Sequence, residues 1–311
     1  MATATLPESA RRAAGARARS SDRTRRAVAG WVFALPFVLL YAAFELFPLI
    51  VSVVMSFTDM RSTDLRDPLN INTVGLDNFA RILGDAKFWQ ATWNTLVFVA
   101  FSVPFTLAIG LALGIALNSG VRRLRTVFRI GFYLPVISSG VAVAVIWRYL
   151  LSTDAGLINS ALRLVGIDGP AWLNDTRTAL PSLIAMAVWR HVGFAMVIFL
   201  AALQGIPREL YEAAEIDGAG RRQAFRHVTL PLLRPAVLFI VVISVIGNLQ
   251  FFEEPFIMTQ GGPLDTTTSI SYQIYTTFGF GQYGYAAAMS WVLFVIIACL
   301  TLLQFRLMRE K

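Results

Sequence analysis

One cysteine and two histidines in 311 residues leave little material for disulfide or metal chemistry. Cys299 stands alone inside an apolar run, so packing is its expected role and no intrachain bridge can form. His191 and His227 fall on different predicted elements, and no HExxH or GxSxG spacing occurs, which argues against an intramembrane protease or esterase. No GxxxxGK[ST] loop is present either. Gly218 and Gly220 lead into Arg221 and Arg222 rather than into the Lys-Ser or Lys-Thr that cradles phosphates, so the chain is not expected to be its own ATP-driven motor. We expect no catalytic residue, no metal and no cofactor in this chain. Charge is also scarce, at 15% of residues against about 25% in soluble domains.

What replaces charge is apolar surface, at 56% of residues. Six stretches approach the roughly 20 residues needed to cross a bilayer: 29–57, 95–117, 127–151, 180–203, 232–252 and 286–307. The chain therefore reads as an all-α membrane protein of six transmembrane helices, with both termini on one side. Basic residues choose the side. Arg11 to Arg26, Arg122 to Arg129, Arg208 to Arg234 and Arg306 to Lys311 cluster in alternate connections, which predicts a cytoplasmic location for both termini and for the connection after the fourth span. The net charge of +8 is then an orientation and lipid-headgroup signal, and without interleaved aromatic and basic surface it does not point to nucleic acid. Residues 1–28, rich in Ala, Arg and Ser, read as a disordered basic cytoplasmic tail near the headgroups. The apolar run that follows is too long for a signal peptide and is expected to stay as the first span. The polar connection 58–93 separates that span from the other five, which divides the chain into 29–93 and 94–311.

Gly110 and Gly114 form a GxxxG pair that permits close helix approach, and Pro36, Pro48, Pro104 and Pro135 interrupt spans where bends can form.

The most informative segment is polar. Residues 207–235 are charged and helix-capable, yet lie between two apolar spans with no core to enter. Pro207 suits a first helical position, Glu209 falls in the first turn, and Gly218 tolerates the left-handed turn that ends a helix. On that short helix Glu212, Ala213, Ala214 and Asp217 share helical spacing, and the alanines leave a shallow surface for a partner. Asp217 at the negative end of the helix dipole is unfavourable unless it is used, either by a partner or as a cap for the next helix.

The pattern Glu212-Ala213-Ala214, Asp217-Gly218-Ala219, Phe225, Leu230-Pro231 and Pro235 resembles the EAA loop of permease subunits in bacterial ABC importers, and the likeness runs from about Asn94 to the end. VGLDNF at Val74–Phe79 and TQGGPLDTTT at Thr259–Thr268 resemble the carbohydrate, maltose-type branch. The resemblance implies a type I ABC importer permease fold in the bacterial cell membrane, with five later spans as the transport core and a cytoplasmic EAA coupling helix. It also implies partners: a second homologous permease subunit, an ABC ATPase dimer that binds ATP-Mg, an extracytoplasmic solute-binding protein and a sugar. Transport needs polar groups along a wet path. Trp189, Arg190, Asn248, Gln250 and Phe251 are the candidates, since rings suit sugar C–H faces and amides suit hydroxyls. Against this, Arg190 could pair with Glu45 or a lipid headgroup, with Glu253 and Glu254 marking the outer boundary.

The competing classes are an ion-coupled secondary transporter, whose deep paired carboxylates are missing apart from Glu45, and a scaffold or receptor, which leaves the motif unexplained. A non-sugar ABC importer, for example of glycerol phosphate, shares the same motifs.

Overall fold

The computed structural model describes residues 28–66, 71–119 and 125–308. The basic tail expected over 1–28 falls outside them as far as residue 27, as do Arg122, Arg123, Arg309 and Lys311. Two compact units divide the chain, Met1–Met55 and Ser56–Lys311. The described part of the first is α1 (Val28–Ser56, running to the first residue of the second unit), an apolar helix that relaxes into a π turn at Ala42–Leu46. Trp31, Phe33, Phe37 and Phe44 stand exposed along it, as on a surface solvated by lipid rather than water.

The second unit's described residues form helices joined by turns and loops, with one isolated bridge between Thr58 and Thr73. Its elements are α2 (Asp77–Gly84), α3 (Ala86–Ser119), α4 (Arg125–Ile137), α5 (Gly140–Leu150), α6 (Leu157–Leu164), α7 (Ala179–Gln204), α8 (Arg208–Ile216), α9 (Arg221–Leu232), α10 (Arg234–Leu249), α11 (Ile270–Gly279) and α12 (Tyr283–Met308). Four helices, α1, α3, α7 and α12, are each long and apolar enough to cross a membrane; the number rises to six if each of two bent pairs is one span. The pairs are α4 with α5, bent by 99°, and α9 with α10, bent by 59°. The break in the first falls at Ser138-Ser139, just beyond Pro135, where a ring has already removed a helical N–H. Pro104, by contrast, sits inside an unbroken α3. The second break falls at Leu233, between Pro231 and Pro235.

The core forms where α3 and α7 lie against each other, and the GxxxG pair is the reason they can. A Cβ on Gly110 would stand 2.6 Å from the Ala195 Cβ, and one on Gly114 3.1 Å from the Phe199 Cβ. Gly193, on α7, does the same for α4, since a Cβ there would strike the Phe132 carbonyl. Around this contact lie Phe199, Leu233 and Ile240 on one side and Val103, Val245 and Leu249 on another, all buried. The helix α3 begins nine residues before the expected span because Phe88 and Ala91 face inward against Ala288 and Met289 of α12, although polar neighbours hide that pattern in the sequence.

The loop from Thr58 into α2 is built from hydrogen bonds. Asn78 donates through Nδ2 to the carbonyls of Ser56 and Thr58 at 2.9 and 2.8 Å, which gives VGLDNF a structural task. Asp59 accepts from the Asn72 amide and side chain at 2.8 and 3.1 Å.

Candidate functional site

Most of the polar residues expected along a solute path converge on one cavity. α7 brings Arg190 and His191, while α10 stops at Leu249, short of the expected Phe252, so that residues 250–254 turn back toward α7. The resulting cavity of about 480 Å³ is lined by Arg190, His191, Ser244, Asn248, Gln250 and Glu253, among others. Phe251 also borders it, but its ring is only 5% exposed and stacks face to face on Phe98 with centroids 3.9 Å apart, so it serves mainly as a wall. Trp189 is not among the lining residues. It turns to Trp147 at 5.6 Å and faces a separate, apolar groove beside Val97 and Pro181.

Arg190 pairs with Glu253, Nη1 donating to Oε2 at 2.8 Å. Glu253 is therefore more than a boundary marker. The signal available in the sequence was two adjacent acids closing an apolar run, one more than a boundary needs. Gly140 gave no such signal. It is the first residue of α5, and a Cβ there would strike the Glu253 carboxylate and both terminal guanidinium nitrogens of Arg190. The missing side chain is the space the ion pair occupies, and the carboxylate lies at the positive end of the α5 dipole. At the far end of α5, Arg148 donates to the Ile257 carbonyl at 3.2 Å, so this half-helix is tied twice to the segment that follows α10. Glu254 lies beyond the end of α10 and is 5% exposed; burial pushes its carboxyl above the usual carboxylate range. His191 spends its Nδ1–H on the Ala187 carbonyl at 2.8 Å.

The loop Thr259–Thr268 closes the same end of α10. Gln260, Leu264 and Asp265 hold φ values of 52°, 49° and 58°, a region that side chains enter only when surroundings over-determine it. Here they do. Asn94 of α3 donates to the carbonyls of Asp265 and Thr268 at 2.8 and 3.0 Å, Gln90 to that of Leu264 at 3.2 Å, and Thr267 Oγ1 to that of Gly262 at 2.8 Å.

At the other end of α10 the chain is treated differently. α8 contains no buried residue. Pro207 is its N-cap rather than its first helical position, and Glu209 lies in the first turn. Glu212, Ala213 and Asp217 are exposed, Ala214 partly so. The helix ends in a Schellman turn, with Ala219 N–H donating to the Ala214 carbonyl at 2.8 Å and Gly218 N–H to that of Glu215 at 3.0 Å, and Gly218 at φ 78°. Asp217 does not cap the next helix. That position belongs to Gly220, whose N–H donates to Gln223 Oε1 at 2.9 Å. Phe225 is half-buried in a π stretch, Leu230 and Pro231 lead to the bend at buried Leu233, and Pro235 opens α10. A hydrogen bond between the Tyr211 and Thr229 hydroxyls, 2.9 Å long, ties α8 back to α9.

Known proteins resemble this chain in sequence and in overall fold. Residues 107–310 match the family described as binding-protein-dependent transport system inner membrane component. The lactose transport system permease protein LacF of Rhizobium radiobacter is 37% identical over 299 residues, covering 94% of this chain and 98% of that protein. Among solved structures, a bacterial ABC transporter involved in the import of the acidic polysaccharide alginate superposes with a TM-score of 0.80 at 26% identity, covering 94% of this chain and 98% of its own. A bacterial alginate ABC transporter in complex with an alginate pentasaccharide-bound periplasmic protein gives the same TM-score and identity over 93% and 96%. The chain is a multi-pass membrane protein, and it belongs to the binding-protein-dependent transport system inner membrane component family as a permease subunit of an importer.

Proposed function

We propose that this permease imports a sugar, as half of a translocation path completed by a second, homologous permease subunit and driven by an ABC ATPase dimer. The observation that carries the coupling is α8: a helix of nine residues with none buried, sharply ended by Gly218 and standing on a bent arm that continues into α10. In this reading each bent pair is one span, six in all, and both termini and α8 are cytoplasmic. Glu212 meets a cationic group in a groove of the ATPase, and Ala213, Ala214, Asp217 and Ala219 line the contact. Phe225, Leu230, Pro231 and Pro235 hold the arm at its angle. Closure of the ATPase pair around ATP-Mg then pulls on α9 and, through the bend at Leu233, on α10, which leads to the cavity. The chain itself carries no catalytic group and binds no cofactor in this scheme.

Arg190, Asn248 and Gln250 line the solute path, with Phe251 as part of its wall and Trp189 bracing α7 from behind. The lactose and alginate functions of the similar proteins support a sugar as solute, delivered by an extracytoplasmic binding protein. The experiment is affinity purification of the tagged chain from its native membrane in mild detergent, with ATP hydrolysis measured on what copurifies. Recovery of a second permease and an ATPase is expected, with the ATPase lost when Glu212 and Gly218 are replaced. A chain recovered alone in several detergents would overturn the reading in favour of an ion-coupled carrier.

A further inference from the structure

Among the described residues the cavity has one guanidinium, Arg190, and an unpaired one in such a place would be a strong anion site, since it offers a fixed fork of donors that fits carboxylate or phosphate. Here its charge is already paired through one of those donors. Glu253 Oε2 stands 2.8 Å from Nη1, and the pair sits against Gly140 in a space that any side chain would take from it. The positive end of α5 faces the carboxylate, so the pair is held from three elements: α7, α5 and the segment after α10. Glu254, buried beside it, adds a second carboxyl and no positive charge. What remains to meet a solute among the described lining residues holds no further guanidinium or ammonium: the amides of Asn248 and Gln250, the hydroxyl of Ser244, the His191 imidazole, whose Nδ1 is already spent on the Ala187 carbonyl, and the rings of Phe194 and Phe252. Such a set satisfies hydroxyls and C–H faces but offers no counter-charge.

We propose that Glu253 determines the solute class of this path: by holding Arg190 in the space left by Gly140 it leaves no surplus positive charge, so the path takes uncharged, hydroxyl-rich sugars and turns away carboxylate-bearing or phosphorylated ones. This rests on reading the cavity as the solute path. A negative solute would have to displace Glu253 from Arg190 and leave a carboxylate unpaired at the break between α4 and α5, whereas a neutral sugar disturbs no charge. Glu253 and Gly140 act through Arg190 and are positioning residues.

The test uses the purified importer complex in lipid nanodiscs. Binding is measured for matched neutral and acidic sugars: lactose with lactobionate, cellobiose with cellobionate, and methyl glucoside with methyl glucuronide. The readout is the acid-to-neutral affinity ratio within each pair. The wild type is expected to favour the neutral member by about tenfold or more, and Glu253→Gln, nearly isosteric, to narrow or invert that preference by about tenfold. Gly140→Ala, which pushes the pair apart, is expected to move the ratio in the same direction by less. A merely structural role for Glu253 would lower both affinities together and leave the ratio alone. A wild type that prefers acidic members, or a ratio unmoved by Glu253→Gln, overturns the proposal while leaving the importer reading intact. Failure of every pair to bind, together with unchanged uptake in Asn248→Ala and Gln250→Ala, removes the cavity from the solute path, and the proposal falls with it.

Discussion

Two connections at opposite ends of α10 use their polar groups in opposite ways. Residues 259–268 turn them inward: three non-glycine residues take left-handed backbone conformations, and Asn94, Gln90 and Thr267 supply the hydrogen bonds that hold them there. Residues 208–220 turn them outward, with a helix that buries nothing and a single hydroxyl pair, Tyr211 with Thr229, reaching back to the arm. Both carry motifs on which the sequence's resemblance to importer permeases rests. The difference teaches that one motif is folded into the chain's own packing while the other is left exposed at the opposite end of the same helix, and that burial of the motif's own residues separates the two.

Breaking the outward end should cost function without fold. Glu212→Lys reverses a charge on an exposed helix, so uptake and coupled ATP hydrolysis are expected to fall by about tenfold or more, a hot-spot loss, while the amount in the membrane and the thermal unfolding temperature stay unchanged. Uptake rates and unfolding traces on the same preparation check this; normal transport would remove the docking model. Breaking the inward end should cost fold first. Asn94→Ala strands two carbonyls, those of Asp265 and Thr268, and is expected to destabilise the loop by about 2–4 kcal/mol, read as protease cleavage within 259–268 and a lower unfolding temperature.

The apolar spans were legible in the sequence because lipid imposes length and polarity on them one residue at a time. Breaks were less so: four prolines stood as candidates, yet Pro104 leaves its helix intact while α4 ends just past Pro135, and only packing distinguishes them. The early start of α3 was hidden because Phe88 and Ala91 alternate with Lys87, Gln90 and Thr92. At the site, Arg190, Asn248 and Gln250 could be named from their polarity in apolar surroundings. Their organisation could not, since Arg190 and Glu253 lie 63 positions apart and Gly140 contributes by having no side chain. Phe251 could likewise be named as a path-lining residue, but its stacking on Phe98 could not, because the two are still more remote in sequence.

A pair of glycines sharpens the comparison. Gly261 and Gly218 have similar positive φ values, 83° and 78°, so alanine at either meets the same backbone penalty of about 1–2 kcal/mol. Their surroundings differ. A Cβ on Gly261 would stand 2.5 Å from Thr268 Oγ1 and 2.9 Å from Tyr272, whereas one on Gly218 meets open space. Gly261→Ala is therefore expected to lower the unfolding temperature more than Gly218→Ala, and the excess measures how tightly the inward loop is packed. Equal shifts would mean that the loop yields as readily as the exposed turn.

The smallest expected effect belongs to the solvated pairing of Asp59 with Asn72. Two hydrogen bonds from Asn72 hold the Asp59 carboxyl below its ordinary value of 3.8. A depressed carboxylate contributes its stability in full above the ordinary value and loses it as the pH falls toward and through the lower, folded one. The pairing of Asp59 with Asn72 should therefore persist through neutral and mildly acidic conditions and open only at stronger acid. Asp59 is fully solvated, so the change is local and leaves the helices folded. Pepsin cleavage within 60–71, compared between wild type and Asp59→Asn across acidic pH, separates this effect from the protease's own pH dependence. The two chains should diverge most at the mildly acidic end of that range, where only the wild type carries the charge-assisted clamp, and converge at its strongly acidic end. Identical cleavage at every pH would show that the backbone bonds between Asp59, Asn72, Phe57 and Val74 close this loop without the carboxylate.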